Sequence, residues 1–206
     1  STGGVGDKVS LVLGPIVAAC GAVFAKMSGR GLGYTGGTID KLESIEGFNC
    51  FLNEQQFKFL LKKSNIAIIG QTDNLVPADK KIYALRDVSG TVNSLPLMTS
   101  SIMSKKLSTG SDAILLDVKC GSGAFMKNIN EAKQLARWMI NIGKKLKKDV
   151  RAEITNMEQP LGRMIGNKNE IIEVIESLKG NGDKKFMELI YSSATTLLIQ
   201  AKIVKN

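Results

Sequence analysis

Apolar positions along the chain fall into segments of two periods, one helical and one extended. Val9 to Val23 is apolar with helical spacing and has Ser10 in its first turn, and Phe24 to Met27 follows as a short strand. Ile39 to Ser44 opens as a short helix with Asp40 near its start. Glu54 to Lys63 has helical spacing, Ile66 to Gly70 is a β-branched strand, and Pro77 to Arg86 is a helix with proline in its first turn. A further helix is predicted from about Val92 or Leu97 to Leu107. After it comes a nearly continuous apolar strand, Ala113 to Val118, which reads as buried on both faces. Ile129 to Lys148 is a long amphipathic helix, Val150 to Thr155 a strand, and Glu170 to Leu178 a helix stopped by Gly180-Asn181-Gly182. Lys185 to Ile203 is helical. This alternation predicts an α/β fold with an open, mixed but mainly parallel sheet flanked by helices. No fixed repeat and no low-complexity linker interrupts it, so residues 1–206 read as one domain.

Composition narrows the function. Aromatic residues make up 5% of the chain while glycine supplies 21 residues, which favours tight backbone turns around a small ligand over base stacking. The net charge of +9 is spread over Lys62-Lys63, Lys80-Lys81, Lys105-Lys106 and Lys144 to Lys148 rather than gathered in a stripe. No nucleic-acid partner is therefore expected, although such a field suits a phosphate-bearing substrate. The three cysteines, Cys20, Cys50 and Cys120, lack metal-site or disulfide spacing and point to a reducing cytoplasm. No apolar run is long enough to span a bilayer, and no membrane partner is expected. The opening Ser1-Thr2-Gly3-Gly4-Val5-Gly6-Asp7 is a complete glycine turn with no strand leading into it, which reads as a piece cut from a longer protein.

Three glycine-rich turns, Ser1 to Lys8, Ser28 to Thr38 and Lys119 to Phe125, are expected to gather at one edge of the sheet, where open α/β folds bind ligands. Glycine lets the backbone approach an anion, and the hydroxyls of Ser1, Thr2, Ser10, Ser28, Thr35, Thr38 and Ser122 accompany these turns. Gly31-Leu32-Gly33-Tyr34-Thr35-Gly36 formally matches a dinucleotide fingerprint. It does not lead into a long apolar helix, however, and Glu54, the acidic residue about 20 positions on, ends no clear strand. Gly3 to Lys8 lacks the ending of a nucleotide-binding P-loop. Free phosphate fits these loops better.

Four long strings carry a specific resemblance: Ser1 to Asp7, Ser28-Gly29-Arg30-Gly31-Leu32-Gly33, Thr35 to Ser44, and Asp117-Val-Lys-Cys-Gly-Ser-Gly-Ala-Phe125. Gly70-Gln-Thr72, Pro77-Ala-Asp79, Tyr83 to Asp87, Ser101 to Lys106 and Gln159-Pro-Leu-Gly162 extend it over nearly the whole chain. Together they resemble the thymidine and pyrimidine nucleoside phosphorylases. The resemblance implies the central part of a large α/β domain, with the family's small helical domain and C-terminal section largely absent. It also implies reversible phosphorolysis of uridine or thymidine to free base and a pentose 1-phosphate in nucleoside salvage, by a pentosyltransferase that is a homodimer and uses no redox cofactor. Phosphate, the co-substrate, would be held by Ser1, Ser10, Ser28 and Thr38, and the pyrimidine by Arg86, Ser101 and Lys105. Met27, Leu32, Met98 and Phe125 would line the faces of the base. A monovalent cation, potassium, would sit at Gly6, Lys8, Leu161, Met164 and Glu173.

The residue types suit that chemistry. Cleavage of the glycosidic bond leaves negative charge on the base, so Arg86 and Lys105 are the catalytic candidates, stabilising the leaving group. Ser101 and Lys105, four apart, share a helix face. Competing readings pair Arg86 with Asp79 or Asp87, leave Lys105 solvated, and place Met27 and Phe125 in an ordinary core. The family usually has histidine at the position of Tyr34 and another just before Ser1, whereas this chain has none, so its residues offer no histidine acid or base. Because family catalysis needs closure of the helical domain, the isolated piece is expected to turn over poorly. Two rival readings remain: an anthranilate phosphoribosyltransferase-like enzyme, and a non-catalytic phosphate- or nucleoside-binding module.

Overall fold

In the computed structural model, residues 1–31, 36–72 and 75–205 are described. The chain alternates helices and strands as expected. Helix α1 spans Val9–Ala19, β1 Phe24–Ser28, α2 Thr38–Leu42, α3 Glu54–Ser64, β2 Ile66–Gly70, α4 Pro77–Val88 and α5 Leu95–Ser108. Strand β3 (Ala113–Cys120), α6 (Ile129–Lys145), β4 (Asp149–Asn156), α7 (Asn167–Glu176) and α8 (Lys184–Gln200) complete it. The helix predicted to reach Val23 ends at Ala19, where Cys20 and Gly21 close the turn back onto Ile16 and Ala18. The predicted α6 stops at Lys145 because the Leu146, Lys147 and Lys148 amides turn back to carbonyls of the last helical turn, with Lys147 at φ 56. Among the described residues no helix is long and apolar enough to cross a membrane.

Local chemistry sets the other boundaries. The Asn53 side chain accepts from the Gln56 amide at 2.9 Å while the Gln56 side chain accepts from the Asn53 amide at 3.0 Å, which starts α3. Asn128 caps α6 by accepting from the Asn130 and Glu131 amides, and Asp183 caps α8 through Phe186 N–H.

All named strand pairings are parallel, and they form two pairs. In one, β1 runs beside β2 from Phe24–Ile66 to Ser28–Gly70; in the other, β3 runs beside β4 from Ala113–Asp149 to Cys120–Asn156. A trough of about 690 Å³ separates them, bounded by Phe24, Ala25 and Lys26 of β1 and by Ala113, Ile114, Leu115 and Asp117 of β3. Each pair has its own apolar cluster. Val12, Val17, Ile39, Val174, Phe186 and Ile190 pack α1, α2, α7 and α8 together, with Phe24 of β1 and Ile68 of β2 against them. Met103, Leu116, Val118, Leu135, Met139 and Val150 join α5 and α6 to β3 and β4. Helix α6 lies so close to β4 that a Cβ at Gly143 would meet Val150 Cγ2 at 2.1 Å. The strands thereby deliver their C-terminal ends, and the glycine loops that follow β1 and β3, to one side of the molecule.

Candidate functional site

The opening loop reaches this edge through hydrogen bonds to β3. Thr2 N–H donates to the Asp117 carbonyl at 2.8 Å, and Lys119 N–H donates to Thr2 Oγ1 at 2.9 Å. The Ser1 hydroxyl donates to the Asp7 carboxylate, and Lys41 Nζ donates to the Asp7 carbonyl at 2.7 Å. Burial opposes ionisation of Asp7, but Lys119, the Ser1 hydroxyl and Lys41 outweigh it and hold the carboxyl well below the usual range.

The second loop leaves β1 at Ser28 and enters α2 at Thr38. Asp40 ties its two ends, accepting from Gly31 N–H at 2.7 Å and from Gly37 N–H at 3.2 Å, while Arg30 bridges Asp40 and Glu43. A side chain at Gly37 would place its Cβ 2.2 Å from the Gly31 nitrogen, so this crossing of backbone on backbone requires glycine. The third loop follows β3. It joins the first through a bridge between Gly4 and Ala124, and sets Phe125 on the shared wall.

Helices α4 and α5 face these loops. Lys105 Nζ lies 2.6 Å from Asp79 Oδ2, donates to Ser101 Oγ at 2.6 Å, and stands 4.7 Å from the centre of the Tyr83 ring. Arg86 donates through Nε to the Thr91 carbonyl at 3.4 Å and through Nη2 to the Val92 carbonyl, with its guanidinium 5.7 Å from the same ring. Burial lowers the Lys105 pKa, against the pull of Asp79.

One cavity of about 140 Å³ unites Ser1, Ser28, Thr38, Met27, Arg86, Met98, Ser101, Lys105 and Phe125. Ser10 does not reach its wall; it sits behind, accepting from Lys26 Nζ beside the trough. Leu32, Gly33, Tyr34 and Thr35, and the side chain of Asp87, lie outside the described residues. Lys105 is 8% exposed, so it is not a solvated charge, and it is Lys105 rather than Arg86 that pairs with Asp79. Met27 combines both readings, being buried and on the cavity wall, while Phe125 is half-buried on that wall and Met98, expected there, is buried beside it.

Sequence reasoning missed Lys26, Lys106, Asp79 as a partner, and Tyr83. Lys26 and Lys106 both line the cavity. Burial depresses the pKa of each, Lys106 most strongly and with Lys26 and Lys105 adding to the effect. Among the described residues no carboxylate lies within ion-pair distance of either; Lys26 donates to Ser10 and Lys106 to the Met27 carbonyl at 3.5 Å. Lysine at an inward position of β1, an apolar strand in a basic chain, was the available signal.

The five residues expected around a monovalent cation also come together, away from this cavity. Lys8 Nζ, buried, donates to the Leu161 carbonyl at 2.6 Å and pairs with Glu173 Oε2 at 2.8 Å. Glu173 further accepts from Arg163 N–H at 2.7 Å and Met164 N–H at 3.0 Å, which with Lys8 draw its pKa down against burial. Gly6, at φ 72, lies with its would-be Cβ 2.7 Å from the Leu161 oxygen. Beside them Lys41 Nζ pairs with Glu170 Oε2 at 2.7 Å, so α7 sends two carboxylates three residues apart to two buried lysines.

With the geometry established, comparison with known proteins places the chain. A pyrimidine-nucleoside phosphorylase of Staphylococcus epidermidis is 56% identical over 202 residues, covering 98% of this chain and 47% of the relative. One from Geobacillus stearothermophilus is 59% identical over 189 residues, covering 92% of this chain and 44% of the relative. The chain therefore spans about half the length of the curated relatives it matches. Residues 1–206 match the description "Glycosyl transferase family, a/b domain", and the chain belongs to that family.

Proposed function

We propose that this chain forms the phosphate- and pyrimidine-binding part of a pyrimidine nucleoside phosphorylase acting on uridine or thymidine. The observation that carries the reading is the cavity itself. Hydroxyls from two glycine loops (Ser1, Ser28, Thr38) stand on one side, and Arg86, Ser101 and Lys105 from two helices close the other. Support also comes from relatives more than half identical to the chain that bear the phosphorylase name.

In this arrangement phosphate lies against the hydroxyls and backbone N–H groups of the loops, with Lys26 and Lys106 supplying positive charge. A phosphate oxygen attacks C1′ of the pentose as the bond from C1′ to the base nitrogen breaks. The electron pair departs with the base, and the cationic heads of Arg86 and Lys105 stabilise the charge it leaves there. The base is then protonated from solvent. Met27, Met98 and Phe125 give its ring apolar surfaces. Ser10 acts through Lys26, whose ammonium donates a hydrogen bond to the Ser10 hydroxyl, and so positions the phosphate side indirectly.

The test is base release from uridine and thymidine, with and without phosphate, by the chain extended to the length of its relatives. Release that requires phosphate, and yields a pentose 1-phosphate, is the expected result. Phosphate consumption without base release would sink the reading. Binding of a pyrophosphorylated sugar with magnesium would favour a phosphoribosyltransferase instead.

A further inference from the structure

The cluster at the foot of the opening loop has the ligands of a cation site and already contains a cation. Leu161 offers its carbonyl, Glu173 its carboxylate, and Phe186 the face of a ring 5.3 Å from Lys8 Nζ. An ammonium has three donors and no acceptor, and here it meets an oxygen, a carboxylate and an aromatic face with its side chain fully buried. Potassium and ammonium are ions of similar size that take the same oxygen ligands. A free potassium ion set among these groups would stand against the ammonium, and like charges at such distance in a buried setting repel strongly. The residues present do not fit an added ion. Surrounding geometry leaves little freedom: a Cβ on Gly162 would meet Glu173 Oε1 at 2.4 Å, and one on Gly6 would meet the Leu161 oxygen at 2.7 Å.

We infer that Lys8 is a built-in monovalent cation, its tethered ammonium standing where an exchangeable ion would otherwise join the opening loop to α7. Lys8 is also the residue whose carbonyl accepts the first helical bond of α1, from Leu11 N–H at 3.0 Å. The tether therefore fixes both the start of α1 and the loop that presents Ser1. A covalently attached cation cannot dissociate, so this region is held at any potassium concentration. The inference rests on the Lys8 geometry alone and stands or falls independently of the proposed reaction.

The experiment is thermal unfolding of this chain in potassium chloride, sodium chloride and tetramethylammonium chloride at equal concentration. For the unsubstituted chain the midpoints in potassium and in tetramethylammonium should agree within about 1 °C. Lys8→Ala removes the ammonium and leaves Glu173 without its counter-charge. Its midpoint should be lower in tetramethylammonium, and should recover by about 3 °C or more, saturably, on adding potassium or ammonium. A saturable potassium stabilisation of the unsubstituted chain would overturn the inference. So would a Lys8→Ala chain indifferent to both small cations. The first arm needs no variant. Should Lys8→Ala not fold in any salt, Lys8→Ser, which offers a hydroxyl oxygen as a replacement ligand, carries the second arm with the same two outcomes.

Discussion

Two pairs of lysines, the buried Lys8 and Lys41 and the half-buried Lys26 and Lys106, are treated in opposite ways. Lys8 and Lys41 point away from the cavity, and each has a carboxylate from α7 within 2.8 Å. Lys26 and Lys106 line both the cavity and the trough; among the described residues Lys26 donates to the Ser10 hydroxyl and Lys106 to the Met27 carbonyl, no carboxylate lies within ion-pair distance of either, and burial depresses the pKa of each. Lys105 stands between the two groups, paired with Asp79 yet still lowered by burial. Next to α7, charge is neutralised by ion pairs within the protein; on the cavity wall, Lys26 and Lys106 have no carboxylate at ion-pair distance among the described residues, which suits the proposed phosphate. Burial disfavours the charged form of both lysines, more than Asp7 and Asp117 restore it at Lys26, and the proposed phosphate would add the missing negative charge.

The comparison is broken most severely on the neutralised side. Lys41→Met should leave Glu170 buried without a counter-charge and lower stability by about 3–5 kcal/mol, measured by denaturant unfolding. A loss near zero would mean that the pair is not what holds Asp7 and α7 together. On the cavity side, Lys105→Ala or Arg86→Ala in the extended protein should slow base release by about 10²–10³-fold with little change in the apparent affinity for phosphate. Equal damage to phosphate affinity would erase the division of the cavity into two ends.

Smaller in size but sharper in sign is the pH effect of Lys106. Its folded pKa lies below its unfolded value, so between the two the unfolded chain binds more protons. Stability should therefore fall as pH drops from the ordinary lysine range through the folded pKa, and Lys106→Met should flatten that slope. Phosphate binding should draw a proton onto the same amine. Calorimetry in buffers of different ionisation enthalpy should show proton uptake in the parent chain and less in the variant, together with about a tenfold loss of phosphate affinity. Binding without proton uptake would show that Lys106 does not face the anion.

The cavity was legible in the sequence to an uneven degree. Residues inside long motif strings, such as Ser1, Ser28, Thr38, Arg86, Ser101 and Lys105, were named before any geometry was known, because glycine, hydroxyl and cation at fixed spacing are local signals. Lys26 and Lys106 were not, although Lys106 closes the string Ser101 to Lys106, since a lysine in a basic chain carries no mark of its surroundings until the elements around it are placed. Ser10, expected at the phosphate from the resemblance, lies outside the motif strings, and the structure sets its hydroxyl against Lys26 beside the trough rather than on the cavity wall.

By itself the sequence determined the order of helices and strands, their approximate limits and the three glycine loops, because periodicity, capping residues and positive-φ glycines act over a few residues. Tertiary structure alone decided that the strands hydrogen-bond as two parallel pairs across a trough, that Asp79 answers Lys105, and that the cation near Glu173 is the chain's own Lys8. Those outcomes depend on contacts between residues far apart in the chain, such as Lys8 and Glu173. The strength of a charge pair is set by the burial and distance that folding creates, and neither is written in the spacing of residues.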